Sequence, residues 1–231
     1  MKIEKQNIPF VSVVVCVYNR KKTIANALNS IVNQTFTNYE VIIVDDGSTD
    51  NVEEVIFPYL KKHNNFKYIR HSNRCAAYSR NTGILISQGR YVTFLDSDDQ
   101  YKENHLEIMT GIVKENPDLD LIHSLPVIVG DKNDEWLVDA LDNTKLIHAN
   151  DCIFGATFFG KKEIFLEING FNDISYGEDV DFYKRLVSSG KYKTMKPNEK
   201  SYVYFRNIED SITNCAKKLY LEKSPAVDQI V

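Results

Sequence analysis

Hydrophobic and polar positions follow two alternating rhythms along this chain. Val11-Ser12-Val13-Val14-Val15-Cys16-Val17 is an almost unbroken β-branched run, the pattern of a strand buried on both faces inside a parallel sheet. It stops at Tyr18-Asn19-Arg20. Ile24, Ala27, Leu28, Ile31 and Val32 then recur at the spacing of one helix face. Val41 to Val44 is a second short buried strand, ending at Asp45-Asp46-Gly47-Ser48. Val52, Val55, Ile56, Tyr59 and Leu60 repeat the helical spacing, and Pro58 is expected to kink or shorten that helix. Phe66 to His71 reads as a third strand. Ala76 to Ser87 suits a helix in which Gly83 carries a small cost. Tyr91 to Leu95 is the fourth strand, and Leu106, Met109 and Val113 mark a helix that Pro117 closes. Leu119 to Val129 reads as one more strand, with Pro126 demanding an edge position or a bend.

Strand and helix in alternation mean an α/β architecture with a mostly parallel sheet. The rhythm weakens near Gly130. Asp131 to Asn150 is polar and irregular. After it come an apolar stretch from Cys152 to Phe159, a short helix from Lys161 to Ile168, and a helix from Val180 to Ser189 closed by Gly190. Tyr192 to Phe205 reads as mostly extended. No linker separates two units, so the expectation is a single domain, 1–231. Residues of about 9–129 would form the half that carries the strand-end acids, and about 130–231 would finish the sheet and add a second wall.

Charge and cysteine content narrow the function classes. A net charge of −4 argues against a general nucleic-acid binder, which is normally basic. Cys16, Cys75, Cys152 and Cys215 form no CxxC pair, so neither a zinc site nor a disulfide framework is indicated. A reducing compartment fits best. Met1 to Pro9 lacks the apolar core of a secretory signal, and no apolar run approaches the roughly 20 residues that cross a bilayer. The expectation is therefore a cytoplasmic protein, with peripheral attachment at the inner membrane face still compatible with the sequence.

The chemistry sits at strand ends. Three carboxylates cannot continue a buried strand without heavy desolvation cost, so Tyr91–Leu95 is expected to deliver Asp96, Asp98 and Asp99 to a wet rim. Acids so close repel unless a cation lies between them, and Mg²⁺ or Mn²⁺ commonly bridges carboxylates to substrate phosphates. Tyr18 and Asp46 leave two other strands at the same edge, where open α/β sheets bind ligands. An aromatic ring and acids there suit a nucleotide. Neither GxGxxG nor GxxxxGK[ST] occurs, so a metal would replace the backbone phosphate cradle. Singly, each group has an ordinary explanation: a packed tyrosine, an Asp turn, an acid favouring a helix N-terminus.

Taken together, the segments Val11–Asn19, Val44–Asp50 and Asp96–Asp99 strongly resemble family 2 glycosyltransferases of the GT-A fold. Ser79-Arg80-Asn81-Thr82-Gly83 is similar to that family's Ala-Arg-Asn-x-Gly segment, and Gly177-Glu178-Asp179-Val180-Asp181 to its Glu-Asp motif. The resemblance runs from about Pro9 to about Leu186. It implies a Rossmann-like α/β/α sandwich and an inverting, metal-dependent transfer of a hexosyl or N-acetylhexosaminyl group. The donor would be a nucleotide-sugar, with uracil favoured over thymine or guanine. The acceptor would be a glycan or lipid-linked glycan. Asp46 would hold the base beside Tyr18, Asp96 the ribose, Asp98 the metal on the diphosphate, and Arg80 the nucleotide half. Asp179 would be the general base.

The chain departs from the family's pattern at two places. Cys75 stands where the family usually has Gly, and no His follows the Glu-Asp motif, which implies either weaker metal binding or a substitute contact from Arg206. No Gln-x-x-Arg-Trp occurs, which argues against a processive synthase. Two other classes compete. A sugar nucleotidyltransferase should carry a glycine-rich loop after the first strand, and Tyr18–Lys22 has none. A non-catalytic binding relative has no use for intact acids at 96, 98 and 179.

Overall fold

The computed structural model describes residues 8–208 and 210–223. In chain order, β1 (Val11–Val17), α1 (Ile24–Val32), β2 (Tyr39–Asp45), α2 (Glu53–Lys62), β3 (Phe66–Arg70), α3 (Ala76–Ile86) and β4 (Tyr91–Asp96) form the regular first part. β5 (Gln100–Tyr101), α4 (His105–Glu115), β6 (Leu121–His123), β7 (Val127–Val129), β8 (Trp136–Val138) and β9 (Leu146–His148) follow. The chain then builds β10 (Phe158–Lys161), α5 (Lys162–Glu167), α6 (Glu178–Ser188), β11 (Thr194–Met195), β12 (Tyr202–Phe205) and α7 (Ile212–Lys223).

A seven-stranded sheet in the order β11-β6-β10-β4-β1-β2-β3 forms the centre. Its pairs are parallel except at β10, which runs antiparallel to both β4 and β6. β1 is an interior strand between β4 and β2 and is buried throughout except at Cys16. Its odd-numbered valines pack with Leu28 of α1, Ile56 of α2 and Met109 of α4. Val14 faces the other layer, with Ile84 of α3, Phe165 of α5 and Phe182 of α6. The continuous apolar run is thus explained: both faces are covered by helices. Gly83 has a packing reason, since a Cβ there would overlap the Val14 side chain. It lets α3 lie close to β1.

Several elements differ from the sequence reading. Leu119–Val129 is not one strand. β6 joins the main sheet, the chain leaves it before Pro126, and β7 enters a second sheet, β5-β12-β7. The Ser124 carbonyl accepts the Thr157 hydroxyl at 2.8 Å across that break. α2 runs through Pro58 to Lys62. The irregular stretch after Gly130 contains the β8-β9 hairpin, and α7 packs on β8. Gly190 takes a left-handed φ of 65° just beyond α6, as a C-terminal glycine does.

Candidate active site

Strand register sets the site. Val17 pairs with Asp45, and Cys16 pairs with both Val44 and Asp96. β1, β2 and β4 therefore end at one rim, and the loops that leave them share it. Asn19 ties two of these loops together. Its backbone N–H donates to Ser48 Oγ at 3.0 Å and its side-chain oxygen accepts the Thr49 N–H at 2.7 Å.

A cavity of about 450 Å³ opens there, lined by Tyr18, Asn19, Arg20, Asp46, Asp96 and Asp98 among others. Tyr18 is 45% exposed, free to stack on a ligand. The two acids after β2 divide their work. Asp45 is fully buried, accepting the Tyr68 hydroxyl at 2.6 Å and the Ser48 N–H at 2.8 Å. It holds the turn. Asp46 lines the cavity while its Oδ1 accepts the Arg74 N–H at 2.7 Å and lies 3.3 Å from His71 Nδ1. Burial pushes its carboxyl above the usual range, against the pull of that N–H and of His71. Cys75 caps α3, its Sγ accepting the Tyr78 N–H, and borders the same cavity.

The acids after β4 also separate. Only Asp96 and Asp98 reach the cavity. Asp99 is 1% exposed, accepting the Tyr202 hydroxyl at 2.6 Å and the Phe205 N–H at 2.8 Å. It pins β12 behind the site, which corrects the expectation that all three acids meet water. Burial, then the charges of Asp96 and Asp98, hold its carboxyl well above the usual range. Asp98 meets Arg20 Nε at 3.2 Å, and Arg20 donates onward to the Asp210 carboxylate at 2.7 Å. Burial and then Asp96 raise Asp98, while Arg20 opposes them.

That donor set fits one kind of metal binding. Among the described residues no three acids, histidines or cysteines converge as a cage, and no side chain other than Arg20 bonds to Asp98. Mg²⁺ and similar ions keep several waters and take one or two carboxylates plus substrate phosphates. Asp98, an under-compensated carboxylate on the cavity wall, suits an ion that arrives with a diphosphate. Arg206 does not serve as the substitute contact. It is 2% exposed, bonds the Tyr204 hydroxyl at 3.2 Å, and lines neither this cavity nor the next one. Arg20 is the cation beside Asp98 on this cavity wall, and its place directly after Tyr18-Asn19 was the available signal for it.

A second cavity of about 330 Å³ adjoins the first. Leu137 and Val138 of β8, Ile153, Phe154 and Tyr176 give it apolar walls, and Asp179 lies on it. Asp179 is the second residue of α6. Its Oδ2 accepts the Gly155 N–H at 2.8 Å and its Oδ1 the Val180 N–H at 2.8 Å. Burial, followed by the neighbouring Glu178 charge, raises its carboxyl to about 6, with the Gly155 N–H and Arg80 pulling the other way. Gly155 was not foreseen. A Cβ there would sit 2.7 Å from Asp179 Cβ, so only glycine admits this contact. Arg80, Asp96 and Glu178 line both cavities. Arg80 pairs with Asp96 at 3.1 Å and with Glu178.

Known proteins share this arrangement of chain. Over 106 residues the sequence is 42% identical to a protein of Rickettsia bellii described as an uncharacterized glycosyltransferase, a match that covers 46% of this chain and 15% of that one. It is 29% identical over 221 residues to glycosyltransferase GlyG of Streptococcus pneumoniae, covering 85% and 70%. The chain thus corresponds to a part of these relatives, and a small part of the first. S. aureus TarS 1–349 in complex with UDP-GlcNAc superimposes with a TM-score of 0.70 at 20% identity, over 95% of this chain and 68% of that one. Mannosyltransferase PcManGT from Pyrobaculum calidifontis, in complex with GDP-Man and Mn²⁺, gives 0.66 at 19%, over 84% and 56%. These two likenesses show the GT-A-type fold. The family model for glycosyl transferase family 2 matches residues 12–172, a span that includes the ends of β1, β2 and β4, and the chain belongs to that family.

Proposed function

We propose that this chain transfers a sugar from a nucleotide-sugar donor, a UDP-sugar, to a hydroxyl of a glycan or lipid-linked glycan, with inversion at the anomeric carbon. The observation that carries this reading is the pair of adjoining cavities. One has Tyr18, Asp46, Asp96 and Asp98 on its wall; the other has the raised carboxyl of Asp179. TarS with UDP-GlcNAc and PcManGT with Mn²⁺ support the donor class and the metal.

In this reading Tyr18 stacks on the base and Asp46 accepts from it, Asp96 accepts a ribose hydroxyl, and Asp98 holds Mn²⁺ or Mg²⁺. The bound ion would supply Lewis-acid stabilisation of the diphosphate leaving group. Asp179 takes the proton of the acceptor hydroxyl at its carboxylate, and its elevated proton affinity makes it a stronger base than an ordinary aspartate. Apolar side chains of β8 and Phe154 line the cavity around it. We propose that residues 9–129 serve mainly the donor and 130–231 mainly the acceptor, within one domain. Among the described residues no helix is long and apolar enough to cross a membrane. We place the enzyme in the cytoplasm, where its described cysteines, all free, stay reduced.

The test is Asp179→Asn in a screen of nucleotide-sugars with an acceptor mixture and with water. The substitution should leave UDP binding near wild type and cut transfer at least about a hundredfold, the lower end for a positioned base. In the wild type, the rate should fall as pH drops through about 6, because the protonated carboxyl cannot accept a proton. A variant that transfers at the normal rate would place the base elsewhere.

A further inference from the structure

α6 begins without a capping side chain. Its N-cap is Gly177, at a left-handed φ of 87°, a residue with little conformational restraint of its own. The next two residues are Glu178 and Asp179. Three contacts hold this first turn from outside: Asn172 donates to the Asp181 carboxylate at 2.9 Å, and the other two fall on Glu178 and Asp179. Gly155 N–H holds the Asp179 carboxylate, and Arg80 holds Glu178.

Arg80 is well placed for such a task. Its side chain is 8% exposed, and its guanidinium carbon lies 5.6 Å from the centre of the Phe171 ring. Burial alone would pull its proton affinity down, but Asp96 and Glu178 more than offset that and hold it well above the usual value. One nitrogen goes to Asp96 at the end of β4 and another to Glu178. Among the described residues Arg80 is the only cation paired with either acid. The Cys16 thiol is pushed up to about 12, chiefly by burial, with the Arg80 charge pulling the other way.

We infer that Arg80 and Glu178 form a positioning pair, in which Glu178 anchors the uncapped start of α6 to Arg80 and so keeps the Asp179 carboxylate aligned with the donor side of the site. Neither residue need touch the acceptor. Arg80 thus acts on the acceptor half as well as on the nucleotide half. The inference rests on the proposed transfer with Asp179 as base. The titratable and charged groups that act on or respond to Asp179 are Glu178, Arg80, Cys152 and Tyr176.

The experiment compares wild type, Asp179→Asn, Glu178→Gln, Glu178→Asp, Arg80→Lys and the Arg80→Lys/Glu178→Gln double variant, each first checked for a cooperative melt. Readouts are kcat, UDP affinity by calorimetry, and the acid limb of the pH–rate profile. Glu178→Gln should lower kcat at least about tenfold, as a small misalignment of a reacting group does, with UDP affinity near wild type. Its acid limb should move to lower pH, because a negative charge beside Asp179 is gone. Glu178→Asp keeps that charge but withdraws it from Arg80, so kcat should fall while the limb stays put. The double variant should be no worse than the poorer single one, since coupled residues are not additive. Normal kcat in both Glu178 variants, multiplying losses in the double variant, or a Glu178→Gln defect confined to UDP affinity would each overturn the inference. Should Glu178→Gln fail to fold, Glu178→Asp alone decides the matter through kcat. Full activity in Asp179→Asn would instead sink the transfer reading itself.

Discussion

Asp46 and Asp98 each keep a partner at the cavity wall: the Arg74 N–H for the first, Arg20 for the second. Both carboxyls are still raised by burial, and in the proposed reading the first accepts from the base and the second holds the cation. Asp46→Ala should weaken UDP at least about tenfold, the loss expected for a hydrogen bond to a charged group, and leave inorganic diphosphate unchanged. Isothermal titration with both ligands checks it, and equal losses would mean that Asp46 acts on the phosphates or on folding. These acids were legible in the sequence because a β-branched run that ends in carboxylates marks a strand end, although Asp45 at the end of β2 stays buried on partners of its own. Asp99 was not. Its partners Tyr202 and Phe205 lie more than a hundred positions along the chain, and nothing local distinguishes it from Asp98. A separation of 98 positions likewise hid the second partner of Arg80, Glu178.

Elements were legible in proportion to how fully the sheet buries them. β1 to β4 and α1 to α4 come directly from spacing, because one stripe or both faces of each must be apolar. Short edge elements carry too few residues for a period to show. α7 gives almost no signal, since Tyr220 is its one buried residue and Ile212, Leu219 and Leu221 are exposed. β6 and β7 looked continuous because Leu119–Val129 is apolar on both sides of the break. Gly83 marks the opposite case, in which a residue unfavourable to helices sits in a well-formed one. Gly83→Ala adds the preferred helix former but drives its methyl into Val14. Overpacking should win over propensity, with a net loss of about 1–3 kcal/mol. Urea denaturation measures it; a stabilised variant would show that α3 can move off β1.

For the whole molecule, alternation of the two spacings was enough to give a parallel sheet between helical layers. It could not reveal β10, whose Phe158–Lys161 follows an irregular stretch and whose direction depends on where the chain returns. Ligand linkage can be tested at this scale. With Mn²⁺ present and UDP at roughly 100 times its Kd, the folded state should gain about 2.7 kcal/mol, a Tm rise of roughly 5–10 °C for a chain of this size. Asp98→Asn should keep its unliganded Tm and lose the metal-dependent part of that rise in a thermal melt. A metal-independent rise in both proteins would leave Asp98 without a role in ion binding.

β10 also constrains how the chain comes to be folded. It fills the gap between β4 and β6, so the central sheet has a vacancy until residues 158–161 have been synthesised. Before that moment β4 and β6 each present an unpaired edge, the kind that recruits other chains. β11 must then find β6 from more than 70 positions away, and such non-local pairing slows folding. Translation therefore exposes β1 to β4 well before their sheet can close, and an open sheet edge of that kind is what favours aggregation and chaperone engagement.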